Sequence, residues 1–379
     1  MPTTSYWEDK WFKNYDFAVI GGGIVGCFTA LKLIQEKPNA RIAIFERGLF
    51  PLGASTKNAG FACFGSLTEL ENDRKHLDDD DVKALVKLRY EGLQLLRNTL
   101  GDEKISYQEN GGFELFMKPP DEIETRIKEM NALMYPIFKE NIFSQENNRI
   151  ESSGFAKNKV STLLKNKFEG SIDTGKMMWS LHEEVRKKGI AFFTSTNIEN
   201  FKEQSNGVLL EVQNEGKLIK FKTQKLAICT NAFSEKWLQK EDINPGRGMV
   251  LITKPISNLK INGCFHYHQG YHYFRNIDNR VLIGGGRQLD IEKENTSIFG
   301  TNDYIKKVLI DDLKNYILPN TPFEIEKEWS GIMAFGTNKL PLIKSYSSRI
   351  AVGVRLGGMG VAIGSIVGNK TAEILLEEL

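Results

Sequence analysis

The first apolar run of the chain covers residues 16–20 and predicts a short buried strand that leads into a glycine turn. Apolar positions at helical spacing follow from Ile24 to Gln35. They predict an amphipathic helix that ends before Pro38, because proline cannot continue a helix. A second apolar run, residues 41–46, predicts another strand. Strand, turn, helix and strand within about thirty residues form a βαβ unit, so we expect a parallel sheet.

The rest of the chain alternates between helical and strand patterns. Helices are predicted over residues 79–100, 121–134, 174–188 and 364–378, and strands over 112–117, 190–194, 207–213, 217–222, 226–231, 271–275, 281–283 and 350–354. Buried strands of the nucleotide-binding type therefore recur near the start, near residue 226 and near residue 350. One sheet built from all three implies an α/β fold with a discontinuous nucleotide-binding domain. The predicted division is 1–85, 155–237 and 335–379 for that domain, and 86–154 and 238–334 for a second, interleaved domain.

Residues 21–26 read Gly-Gly-Gly-Ile-Val-Gly and satisfy the dinucleotide-binding pattern G-x-G-x-x-G between the first strand and the helix. The early glycines permit a tight turn and a close approach of the backbone to a pyrophosphate, and the third permits close helix–strand packing. The helix N-terminus offers free N–H groups to the phosphates. Glu46 follows the second strand and can accept hydrogen bonds from ribose hydroxyls, which disfavours NADP. The predicted contacts of this unit are Gly21, Gly23, Ile24, Val25, Gly26 and Glu46.

Two glycine-rich stretches at opposite ends of the chain favour FAD over NAD. Residues 53–60 (Gly-Ala-Ser-Thr-Lys-Asn-Ala-Gly) supply backbone and hydroxyl donors and let a flat ring approach. Residues 357–364 have the same character and precede a helix. A long ligand stretched across the fold would contact both stretches, and FAD is such a ligand. The predicted contacts here are Ala54, Ser55, Thr56, Asn58, Ala59, Gly60, Gly357, Gly358, Met359 and Gly360.

The order of these motifs resembles the FAD enzyme family of D-amino-acid oxidase, glycine oxidase and sarcosine oxidase. The matching segments are residues 19–26, 45–47, 53–60, 229–234, 280–285 and 357–360. The resemblance implies an α/β fold (α+β overall), with a Rossmann-type FAD domain interleaved with a mixed-sheet substrate domain. It also implies oxidation of an amine or amino acid by hydride transfer to the flavin, hydrolysis of the imine, and reoxidation by oxygen or another acceptor. The expected FAD contacts further include Arg47, Ile198, Thr230 and Asn231.

The chain departs from these relatives near the expected flavin. Glycine oxidases carry an arginine soon after the counterpart of residues 329–331 (Trp-Ser-Gly), whereas this chain continues Ile-Met-Ala at 332–334. Met359 stands where a polar residue is common, and no cysteine is there to bind the flavin covalently, so non-covalent FAD is expected. The strand 281–283 lacks the lysine that sarcosine oxidases place near the flavin. The substrate therefore stays open.

Candidate substrate contacts lie on the strand predicted over residues 271–275 and at Arg355. Alternation places Tyr271, Tyr273 and Arg275 on one face of that strand, and the sequence leaves open which face lines the pocket or whether the strand only packs. Arg355 directly precedes the C-terminal glycine stretch. If the family fold holds, it lies beside the flavin ring and binds a substrate carboxylate or stabilises the reduced flavin, unless it is a surface or helix-capping residue.

Charge and cysteine content exclude several other classes of protein. The formal net charge of the 379 residues is +2, so no field attracts nucleic acid or an acidic membrane surface. No stretch reaches the roughly 18 uninterrupted apolar residues of a membrane span. The four cysteines are far apart, which favours buried thiols in a reducing compartment, with the cytoplasm as the default. His266 and His268 lack a third ligand, so no metal is predicted.

The sequence keeps three functions open. The first is FAD-dependent oxidation of a small-molecule amine or amino acid, in an assembly of unknown size. The second is a non-catalytic flavin-binding protein within a larger complex. The third is a 2-hydroxy-acid dehydrogenase on the same fold that passes electrons to a quinone.

Overall fold

The computed structural model describes residues 4–214 and 217–377, which form two large β-sheets surrounded by helices. The helices are α1 Tyr6–Trp11, α2 Ile24–Glu36, α3 Leu67–Asp73, α4 Asp79–Leu100, α5 Ile123–Phe138, α6 Asn148–Ser152, α7 Thr174–Lys187, α8 Ile291–Glu294, α9 Asp303–Asp312 and α10 Gly360–Leu376. The strands are β1 Asn14–Ile20, β2 Ile42–Phe45, β3 Phe61–Ala62, β4 Gly112–Phe116, β5 Phe143–Gln145, β6 Thr162–Asn166, β7 Gly170–Ser171, β8 Ala191–Phe193, β9 Ile198–Gln204, β10 Gly207–Asn214, β11 Lys217–Ile228, β12 Asn244–Thr253, β13 Cys264–Tyr267, β14 His272–Ile277, β15 Arg280–Gly285, β16 Ile325–Phe335, β17 Leu342–Ser345 and β18 Ile350–Val354. Turns of 3-10 helix cover Ala54–Thr56, Asn231–Lys236 and Arg287–Asp290, and a π-helical turn covers Leu313–Ile317.

The first sheet contains the βαβ unit predicted from the sequence. Its strand order is β17-β18-β11-β1-β2-β8, with β10 and β9 extending from β11. β1 pairs in parallel with β2 and β11, and β11 pairs in parallel with β18. Every residue of β2 and β18 is buried, as in parallel strands that are covered on both faces. The three scattered strand segments therefore lie side by side, as their pattern predicted.

Helices α2 and α10 cover one face of this sheet. Phe28 and Leu33 of α2 share a buried apolar cluster with Ile363 and Val367 of α10. At the start of α2 only glycine fits at residue 26, because a Cβ there would lie 1.9 Å from the carbonyl oxygen of Gly21. The glycine turn is therefore held tightly against the sheet, with the helix N-terminus pointing beyond its edge.

The second sheet is mixed and has the strand order β16-β12-β15-β14-β13-β4-β6-β5. Its strands pair antiparallel except β13 and β4, which pair in parallel. On one face, Phe265 and Phe274 pack with Ile305 and Leu309 of α9. The opposite face forms a wall of the cavity described below. This second sheet agrees with the α+β character that the resemblance implied.

Several predicted boundaries differ from the structure. Segment 217–222 and residues 226–228 of the segment predicted over 226–231 belong to one continuous strand, β11, which ends at Ile228, and α10 begins at Gly360 rather than at residue 364. Strand β6 pairs with β4 and β5 in the second sheet, although the predicted division assigned residues 155–237 to the nucleotide-binding domain. The division into domains itself stays a prediction.

Candidate cofactor and substrate site

A cavity of about 790 Å³ opens at the carboxyl ends of β1, β2 and β11 and continues along the second sheet. Its lining includes Ile20, Phe45 and Cys229 at those strand ends, and Val250 and Tyr273 from the second sheet. Open parallel sheets bind their ligands beyond the carboxyl ends of the strands. The cavity therefore lies where the fold predicts a nucleotide, with its far end reaching a different set of side chains.

The glycine turn forms one end of this cavity. The N–H of Gly21 donates to the carbonyl oxygen of Phe45 at 2.9 Å, and the N–H of Gly22 donates to Oε2 of Glu46 at 3.0 Å. Oε1 of Glu46 accepts a hydrogen bond from the N–H of Gly48 at 2.9 Å. The buried carboxylate thus braces the turn while it lines the cavity. Because each carboxylate oxygen accepts more than one hydrogen bond, it retains capacity for a ribose hydroxyl.

The loop of residues 53–60 is fixed by side-chain hydrogen bonds. Asn58 Nδ2 donates to the carbonyl oxygen of Ser55 at 2.9 Å, and Asn58 Oδ1 accepts from the N–H of Gly60 at 2.8 Å. The Ser55 hydroxyl oxygen accepts from the N–H of Ile24 at 3.1 Å. The loop is therefore tied to the first turn of α2, and both face the cavity.

The C-terminal glycine stretch joins the two sheets at the cavity. Gly357 and Gly358 have φ values of 57° and 84°, which lie in the left-handed region. The N–H of Gly357 donates to the carbonyl oxygen of Ala334 in β16 at 3.0 Å. The two glycine-rich stretches that were expected to contact one long ligand line the same cavity.

Most residues predicted to contact FAD line this cavity: Gly21, Gly23, Ile24, Val25, Glu46, Arg47, Ala54, Ser55, Asn58, Ala59, Ile198, Thr230, Asn231, Gly357, Gly358, Met359 and Gly360. Gly26, Thr56 and Gly60 lie behind the lining. Gly26 packs against β1, the Thr56 hydroxyl donates to a backbone carbonyl at 2.6 Å, and Gly60 packs against the guanidinium of Arg275. These three residues support the residues that line the cavity, and their predicted role as FAD contacts stays a prediction.

Arg355 is also absent from the cavity lining, contrary to the expectation that it acts at the reactive end of the flavin. Its Nη1 forms an ion pair with Asp242 at 3.0 Å. Its Nε donates to the carbonyl oxygen of Leu340 at 3.1 Å, and Nη2 donates to Oδ1 of Asn338 at 3.2 Å. The guanidinium therefore links the end of β18 to neighbouring loops. These contacts give Arg355 a structural role, and its predicted role in binding a carboxylate stays a prediction.

The structure identifies which face of the 271–275 strand lines the cavity. Tyr271 and Tyr273 do so, whereas Phe274 packs in the core on the opposite side. Arg275 points to the same side as the tyrosines but lies outside the lining, because its Nη1 donates to the carbonyl oxygen of Gly60 at 2.5 Å. Arg275 is buried and links β14 to the 53–60 loop, and its predicted role at the substrate stays a prediction.

His266 on β13 is a cavity residue that the sequence suggested only as an incomplete metal ligand. It lies opposite Tyr273 on the neighbouring strand and packs edge-on against Phe61, with ring centroids 5.0 Å apart. Its buried Nε2 has no hydrogen-bond partner among the described residues. Burial lowers the pKa of His266 below its ordinary value, and the carboxylate of Glu69 offsets this only in part. The imidazole is therefore neutral at pH 7.

Glu69 is the acidic neighbour of His266 in the cavity wall. Its Oε2 accepts from the N–H of Ser66 at 3.0 Å and from the Ser66 hydroxyl at 2.8 Å, which forms a capping box at the start of α3. Burial raises the pKa of Glu69, but His266, Lys339 and the hydrogen bonds from Ser66 outweigh burial and hold the pKa below its ordinary value. The S-x-x-E spacing signals the cap, but nothing local in the sequence pairs Glu69 with His266.

His266 also adjoins Cys63 and Glu169, with one ligand atom from each within 4.8 Å of the others. Cys63 is bonded weakly to a backbone carbonyl, and Glu169 Oε1 accepts from the N–H groups of Phe64 and Gly65 at 2.8 and 2.9 Å. Burial raises the pKa of Glu169 to about 7. Because the fold already engages Cys63 and Glu169, His266 is the titratable member of this cluster with unused hydrogen-bonding capacity.

Sequence comparison adds information on the class of protein. Residues 16–374 match the DAO family, described as FAD dependent oxidoreductase. The chain is 23% identical over 345 residues to the mitochondrial L-2-hydroxyglutarate dehydrogenase of Caenorhabditis elegans, covering 84% of this chain and 74% of that protein. A 37-residue segment, 10% of this chain, is 54% identical to 9% of the L-2-hydroxyglutarate dehydrogenase of Escherichia coli strain K12.

Solved structures show the same fold at low sequence identity. Glycine oxidase from Geobacillus kaustophilus superposes with a TM-score of 0.76 at 18% identity, covering 96% of this chain and 95% of that one. L-proline dehydrogenase from P. horikoshii superposes with a TM-score of 0.76 at 17% identity, covering 96% and 94%. The family match over nearly the whole chain agrees with the order of motifs in the sequence. The chain therefore belongs to the family of FAD-dependent oxidoreductases.

Proposed function

We propose that the cavity holds FAD without a covalent bond, extended from the glycine turn toward the second sheet. The N-terminus of α2 at Ile24 would meet the pyrophosphate and Glu46 the ribose, because these are the N–H and carboxylate groups at that end. The 53–60 loop and Gly357–Gly360 would hold the flavin. The C-terminal glycine stretch contains no cysteine for a covalent bond. The shared cavity between both glycine stretches supports this placement.

The reaction we propose is oxidation of the C2 hydroxyl of a small 2-hydroxy acid to a 2-oxo acid. Oxidation of an alcohol by hydride transfer releases the hydroxyl proton, so an unprotonated base is needed at the substrate. The observation that carries this proposal is the neutral His266 beside ionised Glu69 in the cavity wall. Similarity to L-2-hydroxyglutarate dehydrogenases over most of the chain supports the same substrate class.

Different residues of the second sheet would accept the substrate proton and orient the substrate. Bound FAD supplies a two-electron acceptor for the hydrogen on C2. His266 accepts the hydroxyl proton, and the carboxylate of Glu69 stabilises the imidazolium that results. Tyr271 and Tyr273 place phenol hydroxyls at the same wall, where they can orient the substrate oxygens. Hydride and proton together account for both hydrogens that the alcohol loses.

A second candidate is oxidation of an amino acid, which the fold shared with glycine oxidase supports. A neutral amine gives up hydride without a protein base, and the imine then hydrolyses. In that reaction His266 would have no proton to accept. The two candidate reactions therefore differ in whether His266 must accept a proton.

Anaerobic mixing of the yellow protein with a panel of 2-hydroxy acids, amino acids and N-methyl amines tests the proposal. We expect one or more 2-hydroxy acids to bleach the flavin absorbance. Bleaching by amino acids alone would favour the second candidate, and no bleaching by any compound would favour a non-catalytic flavoprotein. Admission of air to the bleached protein then separates an oxidase from a dehydrogenase.

We also propose a reducing compartment, with the cytoplasm as its simplest instance. All four cysteines are buried and free of disulfides, which supports this assignment. No helix in the described ranges is long and apolar enough to cross a membrane. Separation of cell fractions followed by immunodetection would test the location.

A further inference from the structure

Arg287 contributes a guanidinium to the cavity wall at the end of β15. Gly286, with a φ of 77°, turns the chain out of the strand, and its N–H donates to the carbonyl oxygen of Tyr271 at 2.9 Å. Arg287 opens the 3-10 turn that follows. This places Arg287 next to Tyr271, which also lines the cavity.

The guanidinium of Arg287 is held over an aromatic ring of another strand. Its central carbon lies 4.5 Å from the ring centroid of Phe335, at the end of β16. Phe335 and Met333 are two residues apart, so they share a face of β16, and both line the cavity. Arg287 therefore places a cation beside residues 332–334 of β16, where the sequence Ile-Met-Ala contains none.

Gly246 of β12 leaves room for this arrangement. In the sheet, β12 lies between β15 and β16, so Arg287 must pass over it to reach Phe335. A Cβ at Gly246 would lie 2.8 Å from Nε of Arg287 and 2.6 Å from Cε2 of Phe335. Both distances are too short for real atoms, so any side chain at residue 246 would displace the guanidinium from the ring.

Most donors of Arg287 are unused. A guanidinium has five N–H donors, and among the described residues its only hydrogen-bond partner is Oδ1 of Asn295. Its Nε is buried without a partner. The nearby carboxylate of Glu294 is engaged by Arg247, with Nε–Oε2 at 2.8 Å and Nη2–Oε1 at 2.9 Å. Lys339, another cation of the cavity lining, is instead paired with Asp73 at 2.6 Å.

We infer that Arg287 binds the C1 carboxylate of the substrate and sets the requirement for an acid, an inference that rests on the proposed function. A stacked guanidinium with free donors matches the planar, bidentate geometry of a carboxylate. Tyr271 adjoins Arg287, and Tyr273 lies opposite His266 on the same face. Because residues two apart on a strand are separated by about 7 Å, the carboxylate site and the base flank one small substrate.

Equilibrium binding of propionate, an unreactive acid, to the oxidised FAD-loaded protein tests this inference. Perturbation of the flavin absorbance reports binding without turnover. Arg287→Met should weaken propionate binding roughly ten- to hundredfold, the scale of a lost charged hydrogen bond. Arg287→Lys should recover part of the loss. Propionamide, which has no charge, should bind weakly to wild type and respond little to either change.

Two further variants separate the charge from its position. Gly246→Ala keeps the arginine but should displace its guanidinium, so it should also weaken propionate binding while FAD content stays unchanged. Arg280→Met is the matched control, since Arg280 begins β15, the strand that leads to Arg287, and pairs with Glu326 at 2.8 Å, outside the cavity lining. It should bind propionate like wild type.

The outcomes distinguish this inference from the proposed function. If 2-hydroxy acids bleach the wild-type flavin but Arg287→Met binds propionate as tightly as wild type, the carboxylate lies elsewhere and the inference is overturned alone. If wild type neither binds propionate nor is bleached by any 2-hydroxy acid, both proposals fail. Loss of propionate binding in Arg287→Met with partial recovery in Arg287→Lys supports the inference, and bleaching by 2-hydroxy acids supports the proposed function.

Discussion

The two ends of the cavity are built from different parts of the chain. The nucleotide end is built from the glycine turn, the N-terminus of α2 and Gly357–Gly358, where a side chain has little to add. The far end presents side chains of the second sheet, among them His266, Tyr273 and Arg287. A backbone-built site suits phosphates and a flat ring in many proteins. We therefore expect the side-chain-built end to determine which substrate is oxidised.

The two faces of the second sheet show the same contrast for histidine. His272 faces the core, where its Nδ1 lies 3.1 Å from Oδ2 of Asp312, and the same oxygen accepts from the Tyr267 hydroxyl at 2.7 Å. His266, on the neighbouring strand and the cavity face, has no such partner among the described residues. Nε2 of His272 also lacks a partner among the described residues, but it lies outside the cavity lining, whereas the free nitrogen of His266 lies at the cavity and is available for proton transfer.

The largest effect is expected from His266→Gln. Glutamine keeps a polar side chain but cannot accept a proton, so flavin reduction by a 2-hydroxy acid should slow by roughly 10²- to 10⁴-fold. FAD content should stay unchanged, because His266 lies at the side-chain-built end. Stopped-flow absorbance under anaerobic conditions measures the rate. His268→Gln is the control, since His268 is outside the cavity lining, and an equal loss in both variants would argue against a base at residue 266.

A large effect on cofactor content is expected from Gly23→Leu. A Cβ at Gly23 already meets Oγ of Ser55 at 2.7 Å, and the rest of leucine would occupy space assigned to the pyrophosphate. FAD occupancy should fall at least about tenfold, which corresponds to a loss of about 1.4 kcal/mol. The ratio of flavin to protein absorbance checks this. Gly175→Ala, whose Cβ meets only Oδ1 of Asp173 at 3.3 Å, should stay yellow. A fully yellow Gly23→Leu protein would refute the placement.

Arg355→Met should affect stability rather than catalysis. The change removes the ion pair with Asp242 and the hydrogen bond to the Leu340 carbonyl, and the free energy of unfolding should fall by about 1–3 kcal/mol. Chemical denaturation of the FAD-loaded protein measures this loss. Flavin reduction and propionate binding should match wild type. A selective loss of substrate binding at unchanged stability would instead show that Arg355 takes part in substrate binding.

The smallest effect is expected from Tyr273→Phe. This substitution keeps the ring that packs against Phe61, with centroids 5.3 Å apart, and removes only the hydroxyl. If that hydroxyl orients the substrate, flavin reduction should slow by roughly two- to tenfold, the scale of one neutral hydrogen bond. An unchanged rate would assign Tyr273 to packing alone.

The nucleotide end could be predicted because its determinants are local. The pattern of Gly21, Gly23 and Gly26 after a buried strand encodes the turn, and Glu46 follows at the expected spacing. Arg355 shows where the local sequence does not determine the contacts of a side chain. Its position before the glycine stretch was correct, but its φ of 65° and its partner Asp242, 113 residues away, direct the side chain elsewhere.

The substrate end could not be predicted because it depends on pairing between distant segments. His266 meets Glu69 only after β13 joins the second sheet, and Arg287 reaches Phe335 only across Gly246. The continuous strand β11 was divided in the prediction because the polar residues 223–225 interrupt its apolar pattern. Residues that meet through such pairings have no characteristic spacing along the sequence, so a single sequence does not reveal them.

The pH dependence of flavin reduction tests the central claim, that His266 acts as a base on a hydroxyl substrate. A protonated imidazole cannot accept a proton, so the rate with a 2-hydroxy acid should be constant near neutral pH and fall as the pH drops through the pKa of His266. Burial holds that pKa below 6.5, while Glu69 partly opposes the shift. His266→Gln should remove this acid limb, and any titration that remains near neutral pH would report Glu169 or Glu114, whose pKa values burial raises to about 7. An acid limb that persists unchanged in His266→Gln, or reduction by amino acids alone with a rate that rises toward alkaline pH, would contradict the account.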